Sequence, residues 1–309
     1  MTETTPLRIG YVPEHFSTPL YFAQKHFALS ATLIPFPSGT GHMITSLRAG
    51  EIDVGIGLTE GWVAGLGTAT GSAAENEGGY KIVGTYVETP LSYMLPNPPG
   101  WAISTGSSRS DITSIADLKA HNKIGVSRIG SGSYVMGFVL ADSQGWLDTD
   151  TSSTSPFEVK PLQTFEKLRG AVNDGTADFF MWEHFTSKRY YDNGEIKRVG
   201  EIYTPWPSWE IVASTTTTSP STDPRLAALF QKLDLGIAYF ETHLEEAVQY
   251  ISGSLDYSVG DAKEWLQTVR FARGTRGVEK GVVEGAVGVL RKAGVLKEGE
   301  GVIGAGRWL

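Results

Sequence analysis

The chain has 309 residues, 40% of them apolar and 19% charged, with a net charge of −8 at neutral pH. That length exceeds what one hydrophobic core serves and predicts about two domains of ordinary globular composition, while the acidic balance excludes a polyanionic partner such as nucleic acid. The lack of any cysteine excludes disulfides, zinc–thiolate sites, iron–sulfur clusters and thiol nucleophiles together.

Leu7 to Val12 alternates as a first strand. Thr18 then reads as an N-cap with Pro19 at the first helical position. Thr32 to Phe36 is a second strand, and Ser38-Gly39-Thr40-Gly41 leads into a helix bearing Met43, Ile44 and Leu47. That helix stops at Gly50, a residue suited to a left-handed C-cap, and a short buried strand follows that ends in Thr59-Glu60. The pattern β-α-β-α-β predicts a mainly parallel, doubly wound sheet.

Tyr80 to Leu95 reads as extended, and Pro96 to Gly100 follows it as a first crossing between domains. Ser114-Ile-Ala-Asp117 is a capping-box pattern. The next strand is Lys123 to Ser127, and Arg128 to Ser133 opens a helix carrying Val135, Met136, Val139 and Leu140. Thr149 to Ser155 is a surface loop. The first device then recurs about 125 positions on: a helix with Phe165, Leu168 and Val172 stops at Gly175, and a strand ends in Glu183-His184. Trp206 to Ser214 is a return crossing. From Pro224 the chain is helical, over 226–251, 259–271 and 278–293.

Ligands of open α/β sheets sit beyond the carboxyl ends of the strands, so the repeat nominates Thr59, Glu60, Glu183 and His184. Ser38-Gly39-Thr40 and Gly130-Ser131-Gly132-Ser133 each lie between a strand and a helix, where free backbone N–H groups and hydroxyls can receive an anion or a carbonyl; plain capping is the competing role. Trp182 and Trp206 fall at a strand end and a crossing, where a flat ligand can stack. The six histidines are scattered without metal-ligand spacing, so no metal is expected. Gly55 to Gly61 is not a dinucleotide fingerprint, Gly301 to Gly306 has no helix after it, and P-loop and Gly-x-Ser-x-Gly patterns are missing, so no cofactor is expected either.

The runs Leu7-Arg-Ile-Gly-Tyr-Val12, Phe36-Pro-Ser-Gly-Thr-Gly-His-Met43, Leu47-Arg-Ala-Gly-Glu-Ile-Asp-Val54, Ser114-Ile-Ala-Asp-Leu-Lys119, Ile124-Gly-Val-Ser127 and Gly130-Ser-Gly-Ser133 resemble the type II periplasmic-binding-protein family. Within it, the resemblance is to the group of thiamine-pyrimidine precursor proteins and sulfonate, nitrate and taurine binding proteins, and most of all to its cytosolic fungal branch, the Ca3427-like proteins. The resemblance implies a ligand between two lobes, held by Glu14 with its neighbours, Ser38 to Thr40, Thr59-Glu60, and Ser127 to Ser133. Glu14 and Ser127 rest on the resemblance. Some fungal members of the wider family make the thiamine pyrimidine with a cysteine-rich, iron-dependent segment; a chain without cysteine does not carry that activity over.

These readings predict an α/β, two-lobed fold: residues 1–95 and 208–309 form one lobe and 96–207 the other, with hinge closure on a ligand. The expected function is non-catalytic binding of a small polar, heteroaromatic metabolite resembling the thiamine pyrimidine, with a sulfonate or carboxylate as the second choice. The alternative is a cofactor-independent lyase or hydrolase using Glu60 or His184 as acid–base group. No basic-plus-hydrophobic segment precedes Leu7 and no apolar run approaches the ~18 residues of a membrane span. A cytoplasmic location is therefore expected, which puts an ABC-transporter partner in doubt.

Overall fold

A computed structural model describes residues 5–68, 78–89, 100–147, 156–292 and 294–296. Two compact units emerge: Met1–Ser92 with Trp206–Glu284 and Gly299–Leu309, and Tyr93–Pro205 with Gly285–Glu298. The C-terminal part of the chain is thus shared between the units rather than belonging wholly to the first. In the second unit, the Lys292 ammonium pairs with Asp142 at 3.2 Å.

The first unit holds a five-stranded sheet. β1 (Leu7–Tyr11) lies parallel to β2 (Ala31–Pro35) and β3 (Val54–Leu58). β10 (Trp209–Ser214) inserts antiparallel between β3 and β4 (Tyr80–Val87). The order is β2-β1-β3-β10-β4, with four strands in one direction and one against them. The second unit repeats it. β6 (Lys123–Val126) is parallel to β7 (Glu158–Pro161) and β8 (Phe179–Glu183), and β5 (Trp101–Gly106) runs antiparallel between β8 and β9 (Ile196–Ile202). Its order, β7-β6-β8-β5-β9, is the same topology with its odd strand supplied at the start of the segment instead of the end.

The repeated Gly-x-x-Asp turn has a structural cause. Gly50 and Gly175 follow their helices at φ +70° and +81°, a region that side chains with a Cβ avoid. Three residues later, Asp53 accepts from Arg8 N at 2.8 Å and Arg8 Nη2 at 2.7 Å. Asp178 likewise accepts from Lys123 N and Arg109 Nη2, both at 3.0 Å. Each aspartate pins the start of its sheet's first strand beside the third. The repeat therefore encodes strand register.

Both faces of the sheets are covered, as a doubly wound design requires. Alternate residues of β8 show it in the second unit: Phe179 and Met181 join Ile103, Ile124, Met136 and Leu140, while Phe180 and Trp182 join Leu168, Val172 and Ile196. In β3 the glycines make room for a helix. A Cβ on Gly55 or Gly57 would stand 2.7 Å from the Trp62 ring or the Thr40 hydroxyl. Those glycines serve packing, in keeping with the lack of a dinucleotide fingerprint.

Several local expectations shift. A 3₁₀ turn, His15–Ser17, precedes the first helix, so Ser17 takes the cap position and Thr18 becomes the first residue of the helix Thr18–Phe27. The long C-terminal helix breaks at His243 into Pro224–Thr242 and Leu244–Ser254. The next helix is shorter than its pattern, Val259–Leu266, because Phe271 pairs instead with Val87 of β4. Ser114 and Asp117 form the expected capping box, on the 3₁₀ turn Ile115–Lys119. The crossing over 96–99, the loop 149–155 and the glycines 301–306 lie outside the described residues. Among the described residues no helix is long and apolar enough to cross a membrane.

Candidate ligand-binding site

In the first unit, β3 ends at Leu58 and passes directly into the helix Thr59–Gly67. No side chain caps this helix start; the segment entering β10 is fastened to it instead. Thr59 N donates to Ser208 O at 3.1 Å, the Thr59 hydroxyl donates to Pro207 O, and Trp206 Nε1 donates to Glu60 Oε2 at 3.1 Å. Glu60 is wholly buried, and its Oε1 has no hydrogen-bond partner among the described residues. Burial pushes its carboxyl up to about 7, against the opposing pull of a backbone donor and of Trp206. Glu60 is thus a group near half-protonation at neutral pH, with one oxygen unengaged.

Glu210 was not nominated by the sequence. It sits on β10 opposite Gly57 of β3, is wholly buried, and both its oxygens lack hydrogen-bond partners among the described residues. Burial raises its carboxyl well above the ordinary range, outweighing the opposing pull of the Thr85 side chain, which lies across the ladder without closing a hydrogen bond to it. The signal was present: a lone ionisable residue in the apolar strand Trp209-Glu-Ile-Val-Ala213.

The other nominated residues of this unit are placed variously. Trp206 is buried to 1% exposure and serves as a polar donor through its indole N–H rather than as an open stacking platform. Thr40 is buried, and its hydroxyl accepts from Leu58 N at 2.9 Å, tying the second helix to the end of β3. Gly39 caps that helix at φ +76°, and Ser38 is exposed. Glu14 is half-buried at the start of the 3₁₀ turn. Its neighbour His15 is stacked between Tyr257, at 4.5 Å, and Trp265, at 4.3 Å.

In the second unit, Ser131 caps the helix Gly132–Ser143 by accepting from Tyr134 N at 3.4 Å, and its hydroxyl lies 3.0 Å from that of Ser133. Both serines are buried. Gly130 provides the turn at φ +76°, Ser127 follows the end of β6, and burial lowers the half-buried Arg128 guanidinium from its usual value.

Two nominated residues of this unit also have structural partners. Trp182 stacks on Phe165 at 5.0 Å within an apolar cluster, because it alternates onto the same face of β8 as Phe180. Glu183 caps the helix His184–Asp192, accepting from Thr186 N at 2.7 Å and Thr186 Oγ1 at 2.9 Å. Its Oε2 is thereby committed to the helix start. His184 Nδ1 instead faces Arg198 Nη1 at 3.4 Å. The structure therefore gathers Thr59, Glu60 and Trp206, with Glu210 nearby on the same ladder, and separately Gly130 to Ser133.

A family model described as Ca3427-like PBP matches residues 101–202. Across 96% of this chain and 92% of its own, the Candida albicans CA3427 gene product, which defines a family with the generic periplasmic-binding-protein fold, is 38% identical with a TM-score of 0.81. The alkanesulfonate-binding protein of Xanthomonas axonopodis pv. citri, bound to MOPS, shares the fold at 16% identity and TM-score 0.72, covering 96% of each chain. The periplasmic nitrate-binding protein of Synechocystis PCC 6803 does so at 13% identity and TM-score 0.68, over 96% of this chain and 83% of its own. No curated protein matches the sequence.

Proposed function

The chain belongs to the Ca3427-like family of periplasmic-binding-protein fold, and on that premise we propose that it binds a small molecule without transforming it. One observation carries the proposal. Glu60 holds a buried carboxyl oriented by Trp206, with one oxygen left without a protein partner. A buried polar atom left unsatisfied costs about 1–3 kcal/mol, and such groups in folded proteins call for a bound partner or a function. A ligand N–H or O–H satisfies it.

The same oxygen favours a heteroaromatic ligand with hydrogen-bond donors, of the thiamine-pyrimidine kind, over a sulfonate or carboxylate. A carboxyl near neutrality repels an anion when ionised, yet pairs with an amino group in either state. The alkanesulfonate- and nitrate-binding proteins share this fold at low identity, and their ligands do not transfer. Binding rather than turnover is supported by Glu183, whose carboxylate is held as a helix cap rather than poised beside His184 as a base.

Calorimetry with 4-amino-5-hydroxymethyl-2-methylpyrimidine and with MOPS tests the reading. The pyrimidine is expected to bind, more weakly in Glu60→Gln. Binding of either compound that is indifferent to Glu60→Gln counts against this site.

A further inference from the structure

Glu60 does not account for a second wholly buried carboxyl, that of Glu210. Glu210 pairs with Gly57 on β3 and with Thr85 on β4. Register partners in an antiparallel ladder share a face, so the Glu210 side chain rises from the face that Gly57 leaves bare. Trp62 and Thr40 cover that face, within 3.1 and 2.7 Å of where a Gly57 Cβ would stand. Trp62 Nε1 donates to the Glu210 backbone carbonyl at 3.2 Å, and Thr40 Oγ1 accepts from Leu58 N, so neither makes a hydrogen bond to the Glu210 carboxyl.

Glu60 and Glu210 also lie at one end of the sheet. Leu58, the last residue of β3, is paired with Trp209, the first of β10. Glu60 is two residues beyond the former and Glu210 one residue beyond the latter. Three carboxyl oxygens, Glu60 Oε1 and both of Glu210, thus accumulate along one stretch of the β3–β10 ladder with no hydrogen-bond partner among the described residues. A core that needed only apolar filling would lose nothing with leucine or methionine here, since burying an unpaired carboxyl is unfavourable. Acceptors in excess call for a molecule that brings donors.

We propose that Glu210 is a second ligand-binding carboxyl, and that with Glu60 it selects a nitrogen base presenting several N–H donors, an aminopyrimidine or an amidine, over any anion. A carboxyl and an aminopyrimidine are complementary in two protonation states. The neutral acid donates O–H to the ring nitrogen and accepts from the amino group; the carboxylate accepts twice from the protonated base. This inference rests on the binding role of Glu60 proposed above.

The test is calorimetry of the full chain with 4-amino-5-hydroxymethyl-2-methylpyrimidine, benzamidine and MOPS, for the wild type, Glu60→Gln and Glu210→Met, with melting temperatures measured in parallel. The wild type is expected to bind at least one base more tightly than MOPS. Glu210→Met is expected to weaken that binding by about tenfold, the loss of one or two hydrogen bonds, while melting at the same temperature as wild type or higher. Unchanged affinity overturns the inference, and so does a lower melting temperature with affinity intact, which marks a purely structural carboxyl. A wild type that prefers MOPS, or binds none of the three, overturns it too.

Loss of binding in Glu60→Gln but not in Glu210→Met sinks this inference alone, whereas binding insensitive to both removes the Glu60 site as well. If Glu210→Met does not fold, the carboxyl carbon resonance of Glu210 in the wild type decides. It is expected to move on saturation with the bound base, and a fixed resonance overturns the assignment.

Discussion

Trp206 Nε1 and Glu60 Oε2 meet at 3.1 Å, joining residues 146 positions apart in the chain. The contact orients the carboxyl and favours its ionised form, the smaller influence against burial. Trp206→Phe removes this side-chain donor and leaves the backbone donor alone to oppose burial. The Glu60 midpoint, followed by carbon NMR of the carboxyl, is expected to rise above about 7. A midpoint that stays or falls would show that another donor holds the group.

Glu60 also links stability to pH. Its carboxyl is raised in the folded protein from an ordinary 4.5 to about 7, so the folded chain retains a proton that the unfolded chain releases in that interval. The stabilisation is complete below about pH 4.5 and declines as pH rises through about 7, by roughly 3 kcal/mol at about 1.36 kcal/mol per unit. Glu60→Gln abolishes this decline. Denaturant titrations from pH 4 to 8 without ligand should show the variant gaining on the wild type as pH rises; parallel curves would contradict the assignment.

Asp53 has the opposite sign. Burial would raise its carboxyl, but the side-chain and backbone donors of Arg8 outweigh that and hold it below its usual value. Its contribution is lost as pH falls. Asp53→Ala should cost about 1.5–3 kcal/mol, the range for a hydrogen bond to a charged group, and leave affinity for any bound probe unchanged. A stability loss under 0.5 kcal/mol, on the order of an ordinary surface change, would deny Asp53 its pinning role.

Ser131 and Ser133 are separable. Ser131 caps its helix, so Ser131→Ala is expected to lower stability by about 1 kcal/mol. Ser133 bonds to the Ser131 hydroxyl rather than to the helix backbone: Ser133→Ala should lower stability by less than Ser131→Ala while weakening probe binding by about 0.5–1.5 kcal/mol. Calorimetry showing full affinity in Ser133→Ala would return both serines to local structure.

Binder and enzyme diverge at Glu183 and His184. With Glu183 capping a helix, Glu183→Gln should reduce stability by about 0.5–1 kcal/mol, and the wild type should leave the pyrimidine chemically intact on long incubation. Product formation, seen by mass spectrometry and abolished by His184→Asn without loss of binding, would establish turnover instead.

Local chemistry made much of this protein readable in advance. The periodic helices, the left-handed glycines at 50 and 175 and the alternation of strands with helices belong to short-range geometry, so they located β1 to β3, β6 and β8 and announced two similar units, while the short β7 went unread. What each nominated side chain meets is long-range and was not readable. Sheet alternation sets Trp182 against Phe165, and the N–H groups at the start of its own helix engage Glu183. Glu210 passed unnoticed within a strand that propensity explains by its apolar neighbours. The sequence determined the fold class, the repeat and the strand-end positions, because those follow from backbone conformation and hydrophobic period. Only the tertiary structure decided which carboxyls lose water without gaining a partner, because that depends on a return strand arriving more than a hundred residues later beside β3.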